Sequence, residues 1–151
     1  MKEFKARKWQ NEAIKRSVND ESGGIFLEAA GGRGKTLCAL EIAKQREAKK
    51  VIVINNRLSI LEGWKKSIKE FGYDKIYQIE TMTDKTLAAT IKKGSRPACD
   101  VLILDEWQNI SSKNCVSAYK KVKRNYTIGL SATPIRKKGE NFYPLEKTLW
   151  K

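Results

Sequence analysis

Residues 29–40 read AAGGRGKTLCAL. A phosphate-binding loop follows G-x-x-x-x-G-K-[ST]. Counting back from Gly34-Lys35-Thr36 puts Ala29 where the first glycine would stand. The segment is therefore either a phosphate loop with one substitution or a glycine turn that precedes a chance G-K-T. Its surroundings favour the first. Upstream, GIFLEAA (Gly24–Ala30) reads as a strand. Downstream, KTLCALEIAKQREAKK (residues 35–50) places Leu37, Leu40, Ile42 and Ala43 at helical spacing. Strand, glycine loop and helix in that order are the context a phosphate loop requires. Gly31, Gly32 and Gly34 let successive N–H groups turn inward and form an anion-binding nest. The helix N-terminus adds its positive dipole end. Lys35 would neutralise β- and γ-phosphates, and Thr36 would offer its hydroxyl to Mg²⁺. Ala29 only has to end the strand and begin the turn.

The rest of the chain repeats the alternation. VIVIN (Val51–Asn55) is a β-branched run suited to a strand buried on both faces. LSILEGWKKSIKEF then sets Leu58, Leu61, Trp64, Ile68 and Phe71 on one helical side, with Ser59 as the expected cap and Glu62 three residues on. KIYQI (Lys75–Ile79) predicts a weaker third strand. DKTLAATIKKG predicts a helix ending at Gly94. DVLILD (Asp100–Asp105) predicts another buried strand, NCVSAYKKVK a helix and YTIGLSA a last strand. Strands separated by helices imply right-handed crossovers and a mostly parallel sheet, an α/β fold. The tail NFYPLEKTLWK stops on apolar and aromatic residues without a polar finish, as expected for a fragment of a longer chain.

Two further motifs fall at strand ends. VLILDEWQ closes its strand on Asp105 and Glu106. In parallel sheets ligands sit beyond the carboxyl ends of the strands, so this pair points at the same edge as the glycine loop. Asp105 can hold Mg²⁺ through water, and Glu106 can orient and deprotonate an attacking water. The alternative is a solvated acidic turn. GLSATP (Gly129–Pro134) places Ser131 and Thr133 after the last strand; a simple turn accounts for it equally well.

Composition limits the remaining possibilities. The chain has 151 residues, about one domain. Lys+Arg number 31 against Asp+Glu 17, a formal net charge of +14, which suggests a polyanion such as nucleic acid or else a lysine-rich solubilising surface. Cys38, Cys99 and Cys115 have no C-x-x-C spacing, so they read as small buried hydrophobes in a reducing compartment. With no histidine, His-dependent triads are excluded. The N-terminus MKEFKARKWQ is not followed by an apolar run, and no stretch is long enough to span a membrane. An intracellular, cytoplasmic protein with no membrane partner is expected.

The motif order RKWQNEAI, AAGGRGKT, VIVINNRLSILEGW, TMT, LILDEWQ, GLSATP resembles the first RecA-like domain of superfamily 2 helicases and translocases, over about Arg7 to Arg136. The likeness is to the DEAH-like, type III restriction and chromatin-remodelling branches. It implies a RecA-like P-loop NTPase three-layer sandwich, with residues 1–151 a single domain and the second RecA-like domain absent. It implies ATP and Mg²⁺ as cofactors, and nucleic acid, DNA rather than RNA, as partner. Gln10, with Arg7 and Trp9 beside it, would recognise adenine through N6 and N7, although Trp9 is equally a core anchor. Gly31, Gly32, Arg33, Gly34, Lys35 and Thr36 would bind the phosphates. Asp105 and Glu106 match the acidic motif, here D-E-W-Q. Ser131, Ala132 and Thr133 match the segment that couples nucleotide state to strand movement. Asn56, Arg57 and Thr81 would contact nucleic-acid phosphates, with loop capping as the alternative for each. Lys137 and Lys138 would add backbone attraction or form a solvated basic loop. A non-catalytic nucleic-acid-binding module and a small P-loop kinase are the competing classes. The kinase lacks an acceptor segment or lid.

Overall fold

The computed structural model describes residues 1–29, 33–110, 112–132 and 141–144. Helix α1 (Lys8–Val18) leads into β1 (Gly24–Ala29) and α2 (Arg33–Gln45). Then come β2 (Lys50–Asn55), α3 (Leu58–Glu70), β3 (Gln78–Thr83) and α4 (Asp84–Lys92). The described chain continues through β4 (Val101–Leu104), α5 (Lys113–Lys120), β5 (Tyr126–Ala132) and β6 (Asn141–Pro144). The sheet order is β3-β2-β4-β5-β1-β6. The first five strands of that order run parallel, and β6 pairs antiparallel with β1. All five parallel strands therefore present their carboxyl ends at one edge.

Alternation along the strands divides the core in two. Ile25, Leu27, Val51, Val53, Val101, Ile103 and Ile128 face α1, α2 and α3, where Ala13, Leu40, Ile42, Trp64 and Ile68 meet them. Phe26, Ile52, Ile54, Leu102 and Leu104 face α4 and α5, against Leu87, Tyr119 and Val122. This is the expected three-layer α/β sandwich. Each fully buried Ile, Leu or Val contributes about 1.5–3 kcal/mol relative to exposure, so the two-sided burial of β2 and β4 fixes their central place. Among the described residues, no helix is long and apolar enough to cross a membrane.

Two local expectations need correction, and two elements were not expected. The third strand starts at Gln78, three residues later than KIYQI suggested, because Tyr73–Lys75 form a 3-10 turn. Tyr73 and Tyr77 are buried against α2 instead, their hydroxyls donating to Glu41 Oε1 and the Leu40 carbonyl at 2.8 and 2.7 Å. Ser59 does not cap α3. The helix begins at Leu58 with Arg57 at the N-cap, and Asn55 Oδ1 accepts the Arg57 N–H at 2.8 Å, starting the turn two residues early. Helix α1 was not anticipated, since only Gln10, Ala13 and Ser17 are buried along an otherwise polar segment. Neither was β6, which lies in the unassigned tail. Gly94 does end the α4 segment: its φ of +92° is the left-handed turn after the last helical residues.

Candidate nucleotide site

The carboxyl edge gathers the chemistry. β1 and β4 lead to the head of α2 and to the Asp105-Glu106 pair, and β2 delivers Asn55 between β4 and the outer strand. Lys35 lies in the first turn of α2 and is buried, 8% exposed. Burial pushes its ammonium below the ordinary lysine value, and the carboxylates of Asp105 and Glu106 oppose that shift. Thr36, the next residue, is half-buried.

Asp105 is buried and held by three donors. Oδ2 accepts Trp64 Nε1–H at 2.7 Å and Asn55 Nδ2–H at 3.0 Å, and Oδ1 accepts the Glu106 backbone N–H at 2.9 Å. Burial nevertheless raises its carboxyl above the ordinary value. The Trp64 and Asn55 donors act against that rise, Glu106 adds to it, and Lys35 lowers it. The site thus sets a buried cation against a buried, oriented carboxylate. Glu106 follows with φ 51° and ψ 53°, left-handed for a residue with a side chain. Its carboxylate faces Arg57 at the rim.

Gln10 is a strut. Its Oε1 accepts the Arg7 N–H at 2.7 Å and its Nε2 donates to the Gly34 carbonyl at 2.8 Å, so it ties the start of α1 to the start of α2. It is 2% exposed. An adenine would have to use the second N–H and lone pair of this amide or displace those bonds. Arg7 is exposed, and Trp9, half-buried, packs on the core. A Cβ on Gly34 would stand 3.5 Å from Gln10 Nε2 and 3.6 Å from Trp9 Cζ2, ordinary contact distances.

On the other side of the edge, Ser131 Oγ donates to Gln108 Oε1 at 3.0 Å, joining the S-A-T segment to the acidic segment. Ala132 ends β5 opposite Ala29. Asn56 is exposed after β2. Thr81 does not follow the third strand. It lies inside β3, opposite Val53, because that strand begins late. Thr83 ends the strand instead and caps α4, accepting the Thr86 N–H at 3.1 Å. Gly31, Gly32, Thr133, Lys137 and Lys138 lie outside the described residues, as does the Arg33 side chain.

Sequence reading missed Asn55 and Trp64 as holders of Asp105. Both left a signal. Asn55 is a polar residue closing an apolar strand, and a buried indole N–H needs an acceptor. Among the described residues no three His, Cys, Asp or Glu side chains cluster as a metal cage. The donors present, a hydroxyl in the first turn of α2 and a buried carboxylate just after β4, suit Mg²⁺, which keeps waters and takes one or two carboxylates plus substrate phosphates.

The family model for the type III restriction enzyme res subunit matches residues 3–136, most of the chain. The chain belongs to that family. This res-type domain is 27% identical to the DNA 3'-5' translocase XPB2 of Sulfurisphaera tokodaii, over 92% of the chain and 33% of the relative. It is also 27% identical to an uncharacterized ATP-dependent helicase of Mycoplasma genitalium, over 85% of the chain and 15% of the relative. Its fold resembles the Sulfolobus solfataricus SWI2/SNF2 ATPase core solved with dsDNA, with TM-score 0.65, 22% identity, and 90% of this chain and 34% of that one covered. It likewise resembles the Pyrococcus furiosus Hef helicase domain, with TM-score 0.69, 17% identity, and 87% and 34% covered. The res-type domain has the fold of the first RecA-like domain of superfamily 2 helicases and translocases, and spans about a third or less of these relatives.

Proposed function

We propose that the chain is the ATP-binding motor domain of a DNA helicase or translocase, hydrolysing ATP with Mg²⁺ in response to DNA. The observation that carries this reading is Lys35, buried at the head of α2 and electrostatically coupled to both Asp105 and Glu106. A lysine buried among carboxylates at a helix N-terminus is placed to neutralise phosphate. The nucleotide's Mg²⁺, when bound, neutralises phosphate charge and polarises the reacting phosphoryl group. Thr36 and Asp105 are the residues to hold it. The fixed orientation of Asp105 by Trp64 and Asn55 means that its carboxylate needs little rearrangement. Glu106 orients and deprotonates the attacking water, and Ser131 with Ala132 and Thr133 passes the change to the strand-binding rim. The name of the Sulfurisphaera relative and the duplex in the Sulfolobus structure support DNA as the polyanion, as does the charge of +14. A second RecA-like domain, in cis or in trans, would complete the catalytic site, so the isolated domain turns over slowly.

The test is phosphate release from ATP with and without duplex and single-stranded DNA, alongside ATP binding by calorimetry. Glu106→Gln should lower turnover about 100-fold or more, the range for losing a general base, while keeping ATP binding. Lys35→Ala should abolish binding. Wild-type ATP binding that Lys35→Ala leaves unchanged would refute the reading.

A further inference from the structure

Arg57 and Glu106 join two parts of the site that sequence treats separately. Arg57 Nη2 donates to both Glu106 oxygens at 3.2 Å. Arg57 follows β2, where phosphate contact is expected, and Glu106 is the carboxylate assigned to the attacking water. A guanidinium fork fits a carboxylate or a phosphate, and the two compete for the same N–H groups.

The surroundings favour displacement. The side chains are 55% and 22% exposed, so the pair is of the weak, solvent-screened kind. Glu106 is fixed in a left-handed backbone conformation that a residue with a side chain rarely adopts. Asn109 Nδ2 also donates to Glu106 Oε2, at 3.3 Å. Arg57 stands at the N-cap of the 13-residue helix α3, where no side chain caps the free N–H groups. An anion approaching Arg57 therefore meets a second attraction, the positive end of that helix.

We propose that Arg57 is a positioning residue that holds Glu106 aside until a nucleic-acid phosphate takes the guanidinium over and frees the carboxylate for the water. The inference rests on the motor reading above and supplies its coupling: DNA binding and release of Glu106 become one event. By reciprocity, whatever frees Arg57 from Glu106 must tighten DNA binding.

That consequence is measurable without nucleotide. Binding of a fluorescent DNA duplex is followed by anisotropy for wild type, Glu106→Gln, Arg57→Ala and the double variant; both residues lie at the surface, so the variants should fold. Glu106→Gln should bind duplex about two- to fivefold tighter, the scale of an exposed ion pair. Arg57→Ala should bind more weakly and erase that gain. The Arg57→Ala variant should also hydrolyse ATP faster without DNA and respond less to its addition. An equal gain from Glu106→Gln in both backgrounds would mean simple removal of negative charge; it overturns the switch and leaves the motor reading intact. Wild type that binds ATP through Lys35 but binds no duplex overturns both the switch and the DNA part of that reading.

Discussion

Replacing Trp64 with Phe tests whether the Asp105 carboxylate is held by a hydrogen bond or merely enclosed. Trp64 is buried and its Nε1–H reaches Asp105 Oδ2 at 2.7 Å. A hydrogen bond to a charged group contributes about 1.5–3 kcal/mol. The smaller ring adds roughly 1–2 kcal/mol of lost packing. Asn55 still donates to the same oxygen, which pulls the hydrogen-bond share toward its lower end. Urea unfolding should therefore show Trp64→Phe destabilised by roughly 2.5–4 kcal/mol near neutral pH. Packing loss and hydrogen-bond loss separate in a double-mutant cycle with Asp105→Ala. The packing share should persist there while the hydrogen-bond share vanishes, giving a coupling of about 1.5–2 kcal/mol. The pH dependence has a defined sign. The Asp105 carboxyl is raised above its ordinary 3.8. The folded state thus holds that proton more tightly than the unfolded chain. Its contribution is favourable below the unfolded value and is lost as pH rises through the folded one. Removing a donor raises the carboxyl further, so Trp64→Phe should cost more near neutral pH than at about pH 4. A coupling below about 0.5 kcal/mol, or a cost independent of pH, would refute the hydrogen-bond account.

Thiol labelling offers a check on the core. Burial pushes the Cys38 thiol up to about 12 and the Cys99 thiol up to about 11, whereas Cys115 is only half-buried. Mild alkaline treatment with a maleimide should label Cys115 in the folded protein and reach the other two only on unfolding; equal rates would contradict the packing. Gln10→Ala removes both bonds of the strut between α1 and α2, and should lower stability by about 1–3 kcal/mol. The same variant should weaken ATP relative to GTP if the amide also reads adenine, and calorimetry with both nucleotides separates these effects.

The alternation of β-branched runs with 3.6-period segments was enough to place five strands and the order of helices between them. It located the helix start that carries Lys35 and the strand end that leads to Asp105 and Glu106. It failed where burial is not periodic in the chain. Helix α1 buries two polar side chains and one alanine, and no apolar stripe reveals it. Tyr77 reads as a strand residue, but its hydroxyl and that of Tyr73 find acceptors on α2, and the strand starts later, which shifts Thr81 into its interior.

Local chemistry therefore determined which residues carry charge, hydroxyl and glycine freedom, and at which strand end each stands, because those depend on sequence neighbours alone. Partnership did not. Trp64 reaches Asp105 across 41 residues, Arg57 reaches Glu106 across 49 and Gln10 reaches Gly34 across 24. A hydrogen bond depends on ångström distances between atoms, and only the packing of α1 and α3 against a parallel sheet brings these groups within that range.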